Sequence, residues 1–222
     1  MQGKLKVYNK CADIAGVILA GGQSSRMGGG DKSLKPLGNK TILEHVIERL
    51  SPQVATIVLN ANGDPKRFSR FDTPVIQDQT DGFLGPLAGV LSGLEWAEKN
   101  GFQRIITVAA DTPFFPKTLV SDLCTAVSKS SVPIALAATQ PLGMLKINRH
   151  PTFGVWPVSL RNNLKDSLNV GIRKVVIWTE LHGHIDVLFE SGANDPFFNV
   201  NTYDDLNPVS YTHLTLPTNR EV

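Results

Sequence analysis

Residues 19–32 read Leu-Ala-Gly-Gly-Gln-Ser-Ser-Arg-Met-Gly-Gly-Gly-Asp-Lys, five glycines with an arginine and a lysine. Glycines let backbone N–H groups approach a phosphate closely and admit positive φ. Arg26 and Lys32 add fixed positive charge, so the segment suits an anion. Neither of two better-known phosphate loops fits: no Gly-Lys-Ser/Thr occurs for a P-loop, and the G-x-G-x-x-G spacing is absent from this stretch. A second candidate is Asp111, which follows the apolar run 104–110 and precedes Thr112-Pro113. A carboxylate at the C-terminal end of a strand can hold Mg²⁺ over phosphates, because Mg²⁺ takes one or two carboxylates plus substrate oxygens. Asp-Thr-Pro also suits the start of a helix. The strand-end position beside a phosphate loop favours the metal.

Two further polar groups fall at such ends. Asn60 and Asp78 follow the extended runs 54–59 and 74–77 and face the same rim. As a carboxylate, Asp78 can accept from two adjacent N–H donors of a base or from a ribose. Asn60 also reads as a turn residue in Asn-Ala-Asn-Gly. Asn199 and Asn201 are two apart, so in an extended segment both face one way, toward a ligand or as turn caps before Thr202.

The elements that must carry these residues follow from periodicity. The apolar run 14–20, ended by glycines, predicts a strand buried on both faces. Thr41-Ile-Leu-Glu44 is a capping box opening a helix. Residues 54–59, 74–77, 104–110, 133–138, 152–156 and 185–189 predict further strands. Residues 85–99, stopped by Asn100-Gly101, predict a helix, as do 116–129, 160–168 and 172–179; Pro116 suits a first turn. Small residues in Gly85-Pro-Leu-Ala-Gly89 suit close approach of backbone to a ligand. Strands alternating with helices give an α/β fold, a mostly parallel sheet with helices on both faces.

Composition removes whole classes of function. With 41% hydrophobic and 19% charged residues in 222, the chain fills a substantial core and is not disordered. Lys+Arg total 22 against 20 Asp+Glu, a net +2 that gives no general affinity for nucleic acid. Seven Lys/Arg against Asp13 and Asp31 in the first 40 residues suit an anionic ligand, although three of those lysines lie in the opening segment. Two cysteines make neither a disulfide framework nor a Cys-based zinc site. Cys124 aligns with Val120 and Val127 on an apolar helix face, and His182 and His184 share a face if extended but lack a third ligand. The longest apolar run is far short of the ~20 residues of a membrane span, and residues 1–11 lack the apolar core of a secretion signal. A cytoplasmic protein is expected. Residues 1–13 read as a flexible lead-in, 14–206 as one domain, and 207–222 as a non-native tail that resembles a translated adapter and leaves the final helix truncated.

The ordered set Leu-Ala-Gly-Gly-x₃-Arg-Met-Gly-x₂-Asp-Lys with Asn60-Ala-Asn62, Val75-Ile-Gln-Asp78, Gly85-Pro-Leu-Ala-Gly89, Asp111-Thr-Pro113, His150-Pro-Thr152 and Asn199-Val-Asn-Thr202 resembles the molybdenum cofactor guanylyltransferases. The resemblance implies a Rossmann-like nucleotidyltransferase fold and transfer of GMP from GTP to molybdopterin or its molybdenum-loaded form, with release of pyrophosphate. It implies GTP contacts from Leu19, Ala20, Gly21, Lys32, Asn60, Asp78 and Asp111. Asp111 would bind Mg²⁺, Lys32 and Arg26 would face the phosphates, and Asn199 and Asn201 the acceptor. It leaves His150 without a catalytic role. Partner proteins that deliver and receive the cofactor are compatible with it. The attacking phosphate monoester is already largely dianionic at pH 7, so no general base is required; the obstacle is repulsion between two anions. Two rivals stand beside this expectation. One is a CTP-dependent or sugar-phosphate nucleotidyltransferase, and the other a GTP-binding module without catalysis.

Overall fold

The computed structural model describes residues 11–21, 31–79, 85–141, 145–191 and 195–200. Its strands are β1 Cys11–Leu19, β2 Pro36–Leu37, β3 Lys40–Thr41, β4 Val54–Asn60, β5 Val75–Ile76, β6 Arg104–Ala109, β7 Ile134–Thr139, β8 Asn148–Pro157 and β9 His184–Phe189. The helices are α1 Ile42–Leu50, α2 Pro86–Lys99, α3 Leu119–Ser128, α4 Arg161–Asn169 and α5 Val175–His182. Seven strands form one sheet in the order β5-β4-β1-β6-β8-β7-β9, and β2 and β3 form a small hairpin. Only β8 runs against its neighbours β6 and β7 within the large sheet. The expected mostly parallel sheet is therefore present, with one reversed strand.

The apolar run in β1 is buried on both faces because its side chains alternate between two cores. Ile14 and Ile18 join the layer that α1 and α3 cover, and Ala15 and Val17 join the layer that α2, α4 and α5 cover. Complete burial of each such Val or Ile is worth about 1.5–3 kcal/mol, so a one-residue slip of register would exchange the two layers at prohibitive cost. Gly16 brings the first helix close: a Cβ there would lie 2.8 Å from Leu50 Cδ2. The capping box is formed in full, with Thr41 Oγ1 accepting from the Glu44 N–H and the Glu44 carboxylate accepting from the Thr41 N–H. It directs Leu43, Val46 and Leu50 onto the sheet.

Several boundaries differ from expectation. β1 begins at Cys11, inside the expected lead-in, and pairs there with Val54. α3 begins at Leu119, because the Pro116 carbonyl closes a turn on the Leu119 N–H and the Gln53 side chain receives the Val120 N–H. α5 begins at Val175 because Ile172 belongs to the end of α4: Gly171 has φ +95° and the Ile172 N–H returns to the Ser167 carbonyl. His182 ends α5 and His184 opens β9, with Gly183 at φ +78° between them, so the two do not share an extended segment. Cys124 is half-buried against the α1–α3 core, as its spacing implies. No helix among the described residues is long and apolar enough to cross a membrane. The expected tail and the truncated final helix lie outside the described residues.

Candidate active site

The chain passes from β1 to β4 and β5 on one side and then crosses to β6 on the other side of β1. Such a reversal opens a crevice beyond the strand ends, where open α/β sheets bind ligands. Leu19 pairs with Asn60 on one side and Ala109 on the other, so the glycine turn, Asn60 and Asp111 emerge at one level. Ladder-like bonds extend past the strands: the Ala20 N–H donates to the Asn60 carbonyl at 2.8 Å and the Ala110 N–H to the Leu19 carbonyl at 3.1 Å. The Ala20 amide is thereby engaged within the sheet.

Asp111 stands one position beyond the extension of β6. Its Oδ2 accepts from Lys32 Nζ at 2.8 Å, with the lysine side chain 15% and the aspartate 29% exposed. Lys32 is held there by a short 3-10 turn, Lys32–Leu34, capped by Asp31, whose Oδ1 accepts from the Ser33 N–H. The buried Thr112 hydroxyl lies 3.2 Å from Asp111 Oδ1 and 2.5 Å from Asn199 Oδ1, one proton serving two oxygens. The Val200 N–H donates to the Asp111 carbonyl at 2.9 Å. Val200 is itself buried with Leu37, Ile42 and Phe114. Asn199, exposed and far along the chain, is thereby fixed beside Asp111.

Asp78 and Asn60 meet at the other end of the crevice. Asn60 Nδ2 donates to Asp78 Oδ1 at 2.9 Å and Asn62 Nδ2 to Asp78 Oδ2 at 2.8 Å. The Asp78 N–H returns a bond to Asn62 Oδ1, and the Ser92 hydroxyl lies 3.2 Å from Asp78 Oδ1. A carboxylate has about four acceptor positions, so Asp78 retains room for a ligand donor. Helix α2 reaches this pair only because Gly89 lacks a side chain: a Cβ would lie 2.4 Å from Asn60 Oδ1 and 2.7 Å from Leu19 Cδ2. At the head of α2, Gly85 adopts φ +71°.

The rim thus gathers Leu19, Ala20, Gly21, Lys32, Asn60, Asp78, Asp111 and Asn199. Arg26 and Asn201 lie outside the described residues. Asp31, Asn62 and Thr112 stand in the quoted motifs but were assigned no role there, whereas Ser92 and Arg67 lie outside every motif. His150, on β8, contacts the Thr139 hydroxyl at 2.9 Å and stacks on Phe197 with centroids 4.4 Å apart. Burial lowers its pKa below the usual 6.5, and Asp195 opposes the shift. Arg49, whose Nε donates to the Pro113 carbonyl, also has its pKa lowered by burial. Among the described residues no cluster of three or more His, Cys, Asp or Glu is arranged for a metal ion. One partly exposed carboxylate at Asp111, with Lys32 on its Oδ2, is a donor set that could hold Mg²⁺ only jointly with further ligands, and not a metal caged by protein alone.

Residues 16–183 match the MobA-like NTP transferase domain. A molybdenum cofactor guanylyltransferase of Mesorhizobium japonicum is 48% identical over 199 residues, covering 87% of this chain and 93% of that protein. One of Bradyrhizobium sp. is 44% identical over 196 residues, covering 87% and 90%. The crystal structure of molybdopterin-guanine dinucleotide biosynthesis protein A from Archaeoglobus fulgidus superposes with a TM-score of 0.69 at 23% identity, covering 89% of this chain and 96% of that one. The 4-diphosphocytidyl-2C-methyl-D-erythritol synthase of Anaerococcus prevotii gives 0.66 at 14% identity, covering 89% and 94%. At these identities the two structures speak to the nucleotidyltransferase fold alone.

Proposed function

The chain belongs to the MobA-like NTP transferase family, and from that premise we propose that it transfers GMP from GTP to molybdopterin or the molybdenum cofactor, forming the guanine dinucleotide and releasing pyrophosphate. The observation that carries this reading is the Lys32–Asp111 pair, 2.8 Å apart beyond the end of β6, whose last residue Ala109 pairs with Leu19. Guanylyltransferases at 44–48% identity support the same substrates.

In this reading the triphosphate lies along the glycine turn, with Gly21 presenting its amide and Lys32 turning from Asp111 toward the phosphates. Arg26 takes charge of the departing pyrophosphate. Asp78, already oriented by Asn60 and Asn62, accepts a hydrogen bond from the guanine or the ribose. The acceptor approaches from the side of Asn199 and Asn201, and its phosphate attacks the α-phosphorus without a general base. Asp111 would hold Mg²⁺, which when bound lowers the repulsion between the two anions and polarises the phosphates. Alignment and charge compensation then supply the catalysis. Proteins that deliver the cofactor and receive the product complete the assignment, in the cytoplasm where nucleoside triphosphates are held.

The test is turnover of GTP with molybdopterin and Mg²⁺, followed by identification of the product. Formation of molybdopterin guanine dinucleotide with stoichiometric pyrophosphate supports the assignment. Turnover with CTP in preference to GTP, or GTP binding with no pyrophosphate released from the complete mixture, refutes it.

A further inference from the structure

Arg67 stands on the short turn Pro65–Phe68 after β4, outside every motif considered above. Its guanidinium nevertheless joins the two halves of the crevice. Nε donates to Asp31 Oδ2 at 3.1 Å, Nη2 to the Asn62 carbonyl at 2.6 Å and Nη1 to the Asp64 carbonyl at 2.8 Å. It also lies 4.6 Å over the ring of Phe68, which is buried. Gly63, at φ +84°, bends the chain so that two carbonyls converge on one guanidinium, and a Cβ there would lie 3.2 Å from Nη1.

Two of these partners, Asp31 and Asn62, lead to candidate site residues. Asp31 uses its other oxygen to cap the turn that begins at Lys32, accepting from the Ser33 N–H at 3.1 Å and the Ser33 hydroxyl at 2.7 Å. Asn62 is the residue whose side chain holds Asp78. With the Asp31 side chain 11% and the Arg67 side chain 30% exposed, the pair is partly shielded from water. A guanidinium presents its donors in a rigid fork, so it fixes directions that a lysine ammonium would leave free.

We propose that Arg67, acting through Asp31, is the positioning residue that sets the Lys32 ammonium for the triphosphate. Its other donors hold the backbone carbonyls of Asn62 and Asp64 and none of the side chains that hold Asp78. The inference rests on the reading that Lys32 binds the GTP phosphates. All three guanidinium nitrogens of Arg67 donate to protein groups.

The experiment measures GTP and guanosine affinity by calorimetry for the wild type, Arg67→Gln, Asp31→Asn, Lys32→Ala and the Lys32→Ala/Arg67→Gln double variant, with melting temperatures recorded alongside. Asp31→Asn keeps a side-chain oxygen for the cap and loses the ion pair, so it reports on the coupling even where Arg67→Gln folds poorly. Arg67→Gln and Asp31→Asn are each expected to weaken GTP by about tenfold and to leave guanosine, which has no phosphate for Lys32 to meet, unchanged. In the Lys32→Ala background Arg67→Gln adds nothing further. A full additional loss in that background, or an equal loss for guanosine and GTP, overturns the positioning role while leaving the proposed function intact. Unchanged GTP affinity in Lys32→Ala alone removes both.

Discussion

Lys32 Nζ and Asp111 Oδ2 lie 2.8 Å apart although 79 positions separate them in the chain. The lysine comes from the turn after β1 and the aspartate from the end of β6, and the parallel pairing of those two strands brings them level. A partly exposed pair of this kind adds about 0–1 kcal/mol to stability, so its removal tests chemistry more than folding. Lys32→Ala is expected to raise KM for GTP by about 10–100-fold, the range of a charge-assisted contact. Asp111→Asn should instead lower kcat by about 10²–10³-fold and remove the dependence on Mg²⁺. Pyrophosphate release measured against GTP and Mg²⁺ concentration separates the two, and wild-type rates in Asp111→Asn would remove its assigned role.

Two glycines of the crevice differ in what a methyl group would meet. At Gly89 a Cβ lies 2.4 Å from Asn60 Oδ1, so Gly89→Ala must displace Asn60 and with it the amide that holds Asp78. A loss of about 1–3 kcal/mol of stability is expected, with weaker GTP binding. At Gly21 the nearest described atoms are 3.9 Å away. Gly21→Ala should therefore melt as the wild type does yet, with the triphosphate along this backbone as proposed, bind GTP more weakly. Thermal melting with and without GTP checks both; GTP affinity untouched in Gly21→Ala would place the triphosphate elsewhere.

Much of this arrangement was legible because its signals are local. The alternation of β1, the Thr41–Glu44 box and the stop at Asn100-Gly101 each occupy a few consecutive residues; of the candidate site residues, Leu19 and Asn60 end their strands and Asp78 and Asp111 lie two positions beyond β5 and β6. What was not legible depends on contacts between distant residues. Asp31 and Arg67 are 36 apart and Thr112 and Asn199 are 87 apart, and no spacing rule connects them. The start of α3 was misplaced for a related reason: the group that receives the Val120 N–H is a glutamine side chain 67 residues earlier. Propensity placed Pro116 in a first turn without any knowledge of Gln53.

Thr112→Val removes the hydroxyl between Asp111 and Asn199 while keeping the side-chain volume. Thr112 is fully buried, so loss of its hydrogen bond should cost about 1 kcal/mol. With Asn199 released, KM for molybdopterin should rise several-fold while GTP affinity holds. Initial rates over a grid of both substrates resolve the two effects. A rise in KM for GTP alone would assign Thr112 to the nucleotide and detach Asn199 from the acceptor.

The last prediction concerns acid. Burial holds the His150 imidazole below its ordinary 6.5, with Asp195 at 3.9 Å only partly opposing it. In the folded protein the ring therefore stays neutral where the unfolded chain already takes up a proton. Folding stability from this group is complete above about pH 6.5 and declines as the pH falls through that value toward the folded pKa. Glu44 acts lower on the scale. Its pKa is depressed chiefly by the Thr41 backbone N–H, so its contribution is present above 4.5 and is lost as the pH falls further. His150→Gln can keep a hydrogen-bond partner for Thr139 and no longer titrates. Urea midpoints between pH 5 and 7 should fall with acidification in the wild type and stay flatter in His150→Gln, while below pH 4.5 both proteins lose stability alike. Parallel curves in the two proteins across the upper window would mean that His150 takes its proton as readily folded as unfolded.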